Sequence, residues 1–331
     1  MSAETGGKNA IILTASGDRD HAIMNIVASA FGNAGQKCSA CSLLLVERSV
    51  YEDKNFQDKL KDAATSMKVG SVWNPGNVVG PMITNKNDKL LKALELEKGE
   101  SWLVPPRFLD KHKYVLAPTV KWGVRPGNYS FRTELFGPML SVVCIENLQQ
   151  GINWVNSLDY GLTSGLQSLD EGEQKLWKDS IMAGNLYINR GITGAIVNRQ
   201  PFGGMKLSAF GGGVKAGGPN YCACFVKITD KLGSTTDYTQ SYVKAYEQEF
   251  AHARDVNNLY GEQNAFRYLP LKNMVLRLFP GDNNEDAKMI ALAARICHTP
   301  LSISFEPGDD RTAALASLGC PLNCLLYTSP S

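Results

Sequence analysis

The hydrophobic and polar positions of the chain form a repeating order of short apolar runs and amphipathic segments. An apolar run at 10–13 predicts a buried strand, and Asp18 can cap a following helix that ends near Ala34 with Gly35 as its C-terminal cap. The same patterns predict helices over 52–67, 88–97, 148–156 and 172–182, and strands over 43–46, 114–116, 140–145, 165–169 and 185–189. Strands that alternate with helices of this length indicate an α/β fold around a mainly parallel sheet.

A glycine-rich stretch over 191–218 interrupts this order. It holds nine glycines in 28 residues, so it cannot form a regular helix or strand. We predict a long, structured loop held open for backbone contact with a ligand, because Phe202 and Phe210 lie within it and no polar tract does. A flexible linker is the alternative.

The composition shifts toward polar residues beyond Asp230, and a helix is predicted over 243–254 within a linker or surface arm. A new α/β pattern begins at Phe266 and stops before it could enclose a core. It comprises predicted strands over 274–278 and 301–305 and a helix over 284–297. We therefore expect an α/β domain over 1–228, a linker or arm over 229–264, the start of a second, incomplete α/β segment over 265–322 and an artefactual tail over 323–331. We also expect the chain to be truncated at both ends.

The composition is that of a globular protein, with 44% hydrophobic and 20% charged residues. A formal net charge of +2, with acids and bases interspersed, argues against nucleic acid or an acidic membrane surface as a partner. No apolar run reaches the ~18 residues of a membrane span. Eight cysteines at irregular spacing, with no signal peptide before them, indicate a reducing compartment, the cytoplasm. Cys38 and Cys41 form a C-x-x-C, but no histidine follows at ligand spacing, so we expect no metal site.

Cys38 lies where the first predicted helix passes into a buried strand, at the edge of the core. A thiol at such a position can face a cleft. The neighbouring Lys37 and nearby backbone N–H groups would favour the thiolate, which is the form that attacks a carbonyl carbon. The alternative is a small buried side chain, which is what a free cysteine usually is. A partner elsewhere in the chain is needed to decide between the two.

Four stretches of the sequence supply such a partner. They are Glu4-Thr5-Gly6-Gly7-Lys8, Gly35-Gln36-Lys37-Cys38, Glu134-Leu135-Phe136-Gly137-Pro138 and Pro201-Phe202-Gly203-Gly204-Met205-Lys206-Leu207-Ser208. In order and distance they resemble the NAD(P)-dependent aldehyde dehydrogenase superfamily, whose catalytic domain would cover residues 1 to about 228. The 34 residues that separate Glu4 from Cys38 match the family's usual interval between general base and nucleophile.

The resemblance implies oxidation of an aldehyde to an acid through a thiohemiacetal and a thioester, with NAD, or NADP, as the hydride acceptor. By resemblance, Cys38 is the nucleophile, and its backbone N–H forms half of an oxyanion hole. Glu4 matches the base that activates water for thioester hydrolysis. Glu134 matches the carboxylate that binds the nicotinamide ribose, and Phe136 matches the aromatic beside the nicotinamide. An exposed terminal carboxylate is the alternative for Glu4, which the interval to Cys38 disfavours, and a solvated surface acid is the alternative for Glu134.

Within the superfamily, the sequence resembles the Δ1-pyrroline-5-carboxylate dehydrogenases, which oxidise L-glutamate γ-semialdehyde to L-glutamate. The features that carry it are Glu-Thr-Gly-Gly-Lys-Asn at 4–9, the serine after Cys38, and Thr-Gly-Ala-Ile-Val at 193–197. The positions that match this subfamily's contacts to the substrate's α-carboxylate and ammonium are Ser39, Gly194, Ala195 and Phe202. Backbone N–H groups suit a carboxylate because they donate charge-assisted hydrogen bonds without steric bulk.

The stretch from Tyr260 to Leu278 is similar to the C-terminal aldehyde-dehydrogenase-like domain of bacterial bifunctional proline utilisation proteins. That resemblance implies a proline dehydrogenase module on the full-length chain, a small-molecule aldehyde as substrate and a homo-oligomer when the chain is full length.

The family's coenzyme domain lies mostly upstream of the stretch at 4–8, and no G-x-G-x-x-G fingerprint replaces it here. We therefore expect the chain alone to have little or no dehydrogenase activity. Two other hypotheses stay open. One is a different semialdehyde dehydrogenase, such as one for succinate semialdehyde, with Arg190 or Arg199 meeting the substrate carboxylate. The other is a non-catalytic module for assembly, which the presence of both Cys38 and Glu4 disfavours.

Overall fold

The computed structural model describes residues 2–197, 199–211, 213–227, 238–305 and 321–324. The chain divides into two compact units, Met1–Phe225 and Val226–Ser331. Most of the predicted tail, 325–331, lies outside the described residues. None of the helices in the described part of the chain combines the length and apolar character needed to cross a membrane.

A seven-stranded sheet organises the first unit. The strands of this unit are β1 (Ala3–Glu4), β2 (Asn9–Leu13), β3 (Cys41–Glu47), β4 (Ser101–Val104), β5 (Thr119–Trp122), β6 (Met139–Ile145), β7 (Tyr160–Gly161), β8 (Thr163–Gln167), β9 (Asn185–Ile188), β10 (Met205–Lys206) and β11 (Ala209–Phe210). The order in the large sheet is β4-β5-β6-β3-β2-β8-β9, and every neighbouring pair is parallel except β4 with β5. The predicted α/β fold with a mainly parallel sheet is confirmed.

Helices cover both faces of this sheet. They are α1 (Arg19–Phe31), α2 (Arg48–Tyr51), α3 (Lys54–Thr65), α4 (Asp88–Ala93), α5 (Tyr129–Arg132), α6 (Leu148–Asn156) and α7 (Glu171–Ser180). On β2, Ile11 packs into the core shared with α1 and α3, whereas Ile12 packs into the core shared with α6 and α7. Because both faces are buried, the central strands are continuous apolar runs, which is why the sequence revealed them.

One predicted helix boundary is wrong. The first helix ends at Phe31, with Gly32 as its C-terminal cap, and not near Ala34. Ala34 instead has φ +54°, within a short turn that leads toward the nucleophile candidate. The helix predicted over 52–67 is present as α3, which the Asp53 side chain caps by accepting a hydrogen bond from Asn55 N; the short helix α2 before it was not predicted.

The strand predicted over 114–116 is also wrong. Leu116 forms an isolated bridge with Phe108, and the strand of the sheet is β5, a few residues later. A charged residue in its middle concealed β5: Lys121 is buried, and its ammonium pairs with the buried Glu100 carboxylate at 2.8 Å. A buried lysine is rare unless it is paired, so its presence in a sequence normally indicates a surface.

The second unit contains α8 (Tyr238–Ala245), a π-helical turn over Tyr246–Phe250, β12 (Met274–Arg277), α9 (Asn284–Ile296), β13 (Leu301–Phe305) and β14 (Leu322–Cys324). The three strands are parallel in the order β12-β13-β14. Alanines on one face of α9, including Ala291, pack against Ile303 and Leu278. The α/β pattern predicted from Phe266 onward is therefore present, whereas the helix predicted over 243–254 begins and ends earlier than its pattern indicated.

Candidate active site

Three of the four motif stretches meet because each of them precedes a strand of the sheet. Residues 4–8 lead into β2, 35–38 lead into β3 and 134–138 lead into β6. These three strands are parallel neighbours in the order β6-β3-β2, so the loops before them lie side by side at the amino edge of the sheet. Glu4, Cys38 and Glu134 are thus delivered to one edge by topology alone.

A tight turn positions Cys38. After α1, Asn33, Ala34 and Gly35 all have left-handed backbone conformations, with φ of +57°, +54° and +65°. A Cβ at Gly35 would overlap the Gly137 carbonyl group, so only glycine allows the turn to approach the loop before β6 so closely. Cys38 follows as a half-buried, reduced thiol, neither sealed in the core nor fully exposed.

Two glycines pack the Cys38 turn against Glu134. The Gly7 amide donates a hydrogen bond to Glu134 Oε1 at 2.9 Å, and a Cβ at Gly7 would come within 2.7 Å of the Cys38 carbonyl oxygen. At Gly6, a Cβ would overlap the Glu134 carboxylate itself. The glycine pair therefore lets the carboxylate and the thiol-bearing turn share one short segment.

Phe136 has an unusual backbone for an aromatic residue, with φ +49°, and its ring is 43% exposed. A non-glycine residue in this conformation costs of order 1–3 kcal/mol and persists only where the surroundings impose it. Phe136 and Glu134 line the same small cavity as Gly7, Lys37 and Cys41. The two predicted coenzyme contacts are thus brought together beside the Cys38 turn.

Glu4 is held in place by residues that lie about 200 positions later in the sequence. Its strand β1 pairs with β11 in antiparallel register, with Glu4 opposite Ala209. The Gly204 amide donates to Glu4 Oε2 at 3.0 Å. Glu4 is an exposed residue, yet partial loss of water around its carboxylate raises the pKa of Glu4, and the bond from Gly204 and the charge of Lys215 oppose that rise.

The predicted substrate loop is fixed at its ends and open at its tip. Phe202 exchanges two backbone hydrogen bonds with Ala216, at 3.0 and 2.9 Å, and the Asn185 side chain bonds Pro201 O and Gly203 N. At the tip, Gly194 is exposed with φ +82°, and a Cβ there would meet nothing within 4 Å. The stretch is therefore a structured loop, and the flexible-linker alternative does not hold for its described residues.

The remaining predicted contacts differ in accessibility. Ala195 is half-buried beside Gly194, whereas Ser39 is 6% exposed and its carbonyl accepts a hydrogen bond from the Thr163 hydroxyl at 3.3 Å. Arg190, which the succinate semialdehyde hypothesis invokes, lies over the Tyr187 ring at 5.7 Å from its centroid. Within the described residues, no hydrogen bond joins Cys38 directly to Glu4, so their shared role stays a prediction.

Sequence reasoning missed three polar residues of the site. Asn9 is buried at the start of β2 and bonds the carbonyl oxygens of Cys38 and Ala40. Lys215 is half-buried and donates to Gly203 O at 3.1 Å. Lys8, the last residue of the first motif stretch, is 3% exposed, and burial lowers the pKa of its ammonium to about 7. An asparagine in an apolar strand is a usable signal, since strands are depleted in this residue.

Comparison with known proteins agrees with this arrangement. A model of the aldehyde dehydrogenase family matches residues 1–230, which is more than half of the chain. The chain belongs to the aldehyde dehydrogenase family. This membership confirms the resemblance that the four motif stretches indicate.

Two 1-pyrroline-5-carboxylate dehydrogenases and one PutA structure are similar to this chain. The 1-pyrroline-5-carboxylate dehydrogenase of Geobacillus sp. (strain WCH70) is 35% identical over 221 residues, which cover 66% of this chain and 42% of that protein. The solved structure of proline utilization A (PutA) from Corynebacterium freiburgense is 38% identical, with a TM-score of 0.83, and the match covers 98% of this chain and 37% of that one. A Thermus 1-pyrroline-5-carboxylate dehydrogenase with bound NAD is 35% identical, with a TM-score of 0.63, over 68% of this chain and 43% of that one. The chain thus spans less than half the length of these relatives.

Proposed function

We propose that this chain carries the aldehyde-oxidising site of an NAD-dependent L-glutamate γ-semialdehyde dehydrogenase, with Cys38 as nucleophile and Glu4 as base. The observation that supports it most is the meeting of the Glu4, Cys38 and Glu134 loops before three neighbouring strands. The similarity to 1-pyrroline-5-carboxylate dehydrogenases and to PutA, at 35–38% identity, supports the choice of substrate. Ser39, Gly194, Ala195 and Phe202 are the proposed substrate contacts.

In this proposal the Cys38 thiolate attacks the aldehyde carbon and forms a thiohemiacetal, whose oxyanion is met by the Cys38 backbone N–H. NAD, when bound, supplies the hydride acceptor that turns the thiohemiacetal into a thioester. Glu4 then takes a proton from water as the water attacks the thioester carbon, which releases the acid and the free thiol. Glu4 acts in its ionised form, which the hydrogen bond from Gly204 and the charge of Lys215 favour.

The chemistry of Glu134 and Phe136 suits a nicotinamide riboside, which would lie at the mouth of their cavity because the cavity itself has a volume of only about 10 Å³. Gly7 occupies one oxygen of the Glu134 carboxylate, and the other receives no hydrogen bond from the described residues, so it is available to a ribose hydroxyl. Phe136 presents an exposed ring from the same cavity. NADP would make the same contacts. Two side chains are too few to hold a whole dinucleotide, so we infer that the 331 residues by themselves turn over little aldehyde.

Similarity to PutA supports further proposals about the parent protein. The first is a proline dehydrogenase module on the same chain, which would deliver the semialdehyde. A homo-oligomeric assembly and a cytoplasmic location remain proposals that this similarity does not address.

The test is made on the parent protein that contains these residues. NAD+ reduction is followed with L-glutamate γ-semialdehyde and with succinate semialdehyde, in the wild type, in Cys38→Ala and in Cys144→Ala as a matched control on β6. We expect turnover with the glutamate derivative, its loss only in Cys38→Ala, and at most weak activity with succinate semialdehyde. A preference for succinate semialdehyde overturns the substrate assignment. Full activity in Cys38→Ala overturns the catalytic assignment.

A further inference from the structure

The half-buried ammonium of Lys215 faces the candidate base Glu4 from the loop that follows β11. We propose that Lys215 is a positioning residue that holds the Gly203–Gly204 backbone against Glu4 and keeps the Glu4 carboxylate ionised during thioester hydrolysis. The inference deepens the proposed function and rests on it. It assigns Lys215 no contact with substrate or coenzyme.

The contacts of Lys215 fix the segment that binds Glu4. Its ammonium donates to the carbonyl oxygens of Gly184 and Gly203, the latter at 3.1 Å, and approaches Asn185 Oδ1 at 3.4 Å. Asn185 Oδ1 also accepts from the Gly203 amide at 3.2 Å. The ammonium therefore ties the Gly203 peptide to the start of β9, and the next amide, that of Gly204, is the one that donates to Glu4.

Gly203 shows how near the two side chains lie. A Cβ at Gly203 would come within 3.0 Å of Lys215 Cγ and within 3.1 Å of Glu4 Oε1. The carboxylate and the lysine stem thus pack against the same glycine, and any larger residue would force them apart. Glycine at this position is required by the approach of two side chains and not by its backbone angles.

The electrostatic attraction between Lys215 and Glu4 supports the same role for Lys215 as these contacts do. Among the described groups, the charged side chain that acts on Glu4 is Lys215, while β11 and the Gly203–Gly204 segment present backbone to it. Glu4 is likewise the charged group that acts on Lys215, whose other neighbours are carbonyl oxygens and an amide. Burial lowers the pKa of Lys215 to about 8, and the negative charge of Glu4 opposes that change. The Lys215 amine is therefore mostly protonated at neutral pH, and its positive charge lowers the pKa of Glu4.

Replacing Lys215 by a neutral residue should change the ionisation of Glu4. With a neutral residue at 215, the Glu4 carboxylate loses an opposite charge, so its pKa rises and a smaller fraction is ionised at a given pH. Hydrolysis of the thioester, which needs the ionised base, then slows at neutral pH and recovers at higher pH. Attack by Cys38 and hydride transfer precede the step that uses Glu4, so they are unaffected.

The experiment separates these steps in the parent protein by pre-steady-state kinetics. NADH formation with L-glutamate γ-semialdehyde is recorded from pH 6 to 9 for the wild type, Lys215→Met, Lys215→Arg and the surface control Lys175→Met. We expect Lys215→Met to keep the first-turnover burst, to lower the steady-state rate more at pH 6 than at pH 9, and to move the rising limb of the profile upward by up to roughly one pH unit. We expect Lys215→Arg, which keeps the charge, to shift less, and Lys175→Met to match the wild type.

A retained burst with an unchanged pH profile in Lys215→Met overturns the role of Lys215 while leaving the proposed function intact. Absence of any NADH formation in the wild type overturns the proposed function itself. If Lys215→Met does not fold by circular dichroism, Lys215→Gln is measured in its place. An arginine variant that shifts the profile as far as the neutral variant also contradicts the proposal.

Discussion

The Asn9 carboxamide holds the backbone on both sides of the candidate nucleophile. Its Nδ2 donates to Cys38 O at 2.7 Å and to Ala40 O at 3.0 Å, and its Oδ1 accepts from Thr163 N at 3.0 Å. Asn9 stands at the start of β2, so the central strand of the sheet directly anchors the turn that carries the thiol. A loop residue is thereby positioned by a rigid element, as a reactive group requires.

We expect Asn9→Ala to lower the free energy of unfolding by at least about 2 kcal/mol, because it leaves three buried backbone groups without their partner. The thiol turn should also loosen, so Cys38 should react faster with iodoacetamide. Chemical denaturation and mass spectrometry of the alkylated chain measure both effects. Asn55→Ala, on the exposed surface of α3, should change stability by less than about 0.5 kcal/mol. Equal effects of the two substitutions would remove Asn9 from the site.

Gly35→Ala tests the close approach of the Cys38 turn to the loop of Phe136. The new methyl group would overlap the Gly137 backbone, and φ +65° is unfavourable for alanine, so we expect a loss of at least about 2 kcal/mol in stability. Gly32→Ala is the matched control three residues earlier, with φ −54° and no atom within 4 Å of the added Cβ. The stabilities of the two variants are compared by their denaturation midpoints. A Gly35→Ala protein as stable as Gly32→Ala would contradict the packing described for the turn.

Lys8 makes stability depend on pH near neutrality. The folded chain loses the Lys8 proton near pH 7, whereas the unfolded chain keeps it to about pH 10.4, so unfolding takes up a proton between these values and stability rises with pH above 7. Between pH 7 and 8 the gain is about 1 kcal/mol. Burial raises the pKa of the neighbouring Cys41 to about 12, so its thiol stays protonated in the folded chain throughout this window.

We expect Lys8→Met to abolish that rise and to be more stable than the wild type at pH 7. Lys54→Met, at an exposed position on α3, should keep the wild-type slope. Urea denaturation at pH 7 and pH 8 measures the slopes. A Lys8→Met protein with an unaltered slope would show that the ammonium is not the group responsible.

Glu4→Gln should block hydrolysis of the thioester while allowing its formation. We expect a first-turnover burst of NADH in the parent protein, followed by a steady-state rate lower by a factor of about 10² to 10⁴. Glu171→Gln, on the exposed first turn of α7, should behave as the wild type. Loss of the burst itself would assign Glu4 to an earlier step or to structure.

The sheet could be predicted from the sequence where local patterns carry the information. The runs at 10–13 and 43–46 are buried on both faces, so apolar character alone marks them. The strand that contains Lys121 was missed because its burial depends on Glu100, which lies in another part of the chain. Such a pairing has no local signature, and tertiary contacts override the surface preference of lysine.

Local sequence patterns likewise reveal some residues of the candidate site and not others. Cys38 and Glu4 were identified because short motifs surround them, and family membership supports those motifs. Asn9 and Lys215 act through contacts with segments 12 to 154 residues away, so the sequence cannot show what they hold, although an asparagine in an apolar strand does mark Asn9 as unusual. The sequence also could not show that the loops meet at the amino edge of the sheet. In open α/β sheets ligands usually bind at the carboxyl edge.

The hydrogen bond from Gly204 to Glu4 joins residues 200 positions apart. On the ribosome, the segment with Glu4 and the thiol turn emerges long before the residues that hold the base in place. During that interval the thiol turn precedes the strand pairing that holds the Glu4 carboxylate in place. If Cys38 and Glu4 act as proposed, the base can be oriented only after residue 210 has been synthesised and β11 has paired with β1.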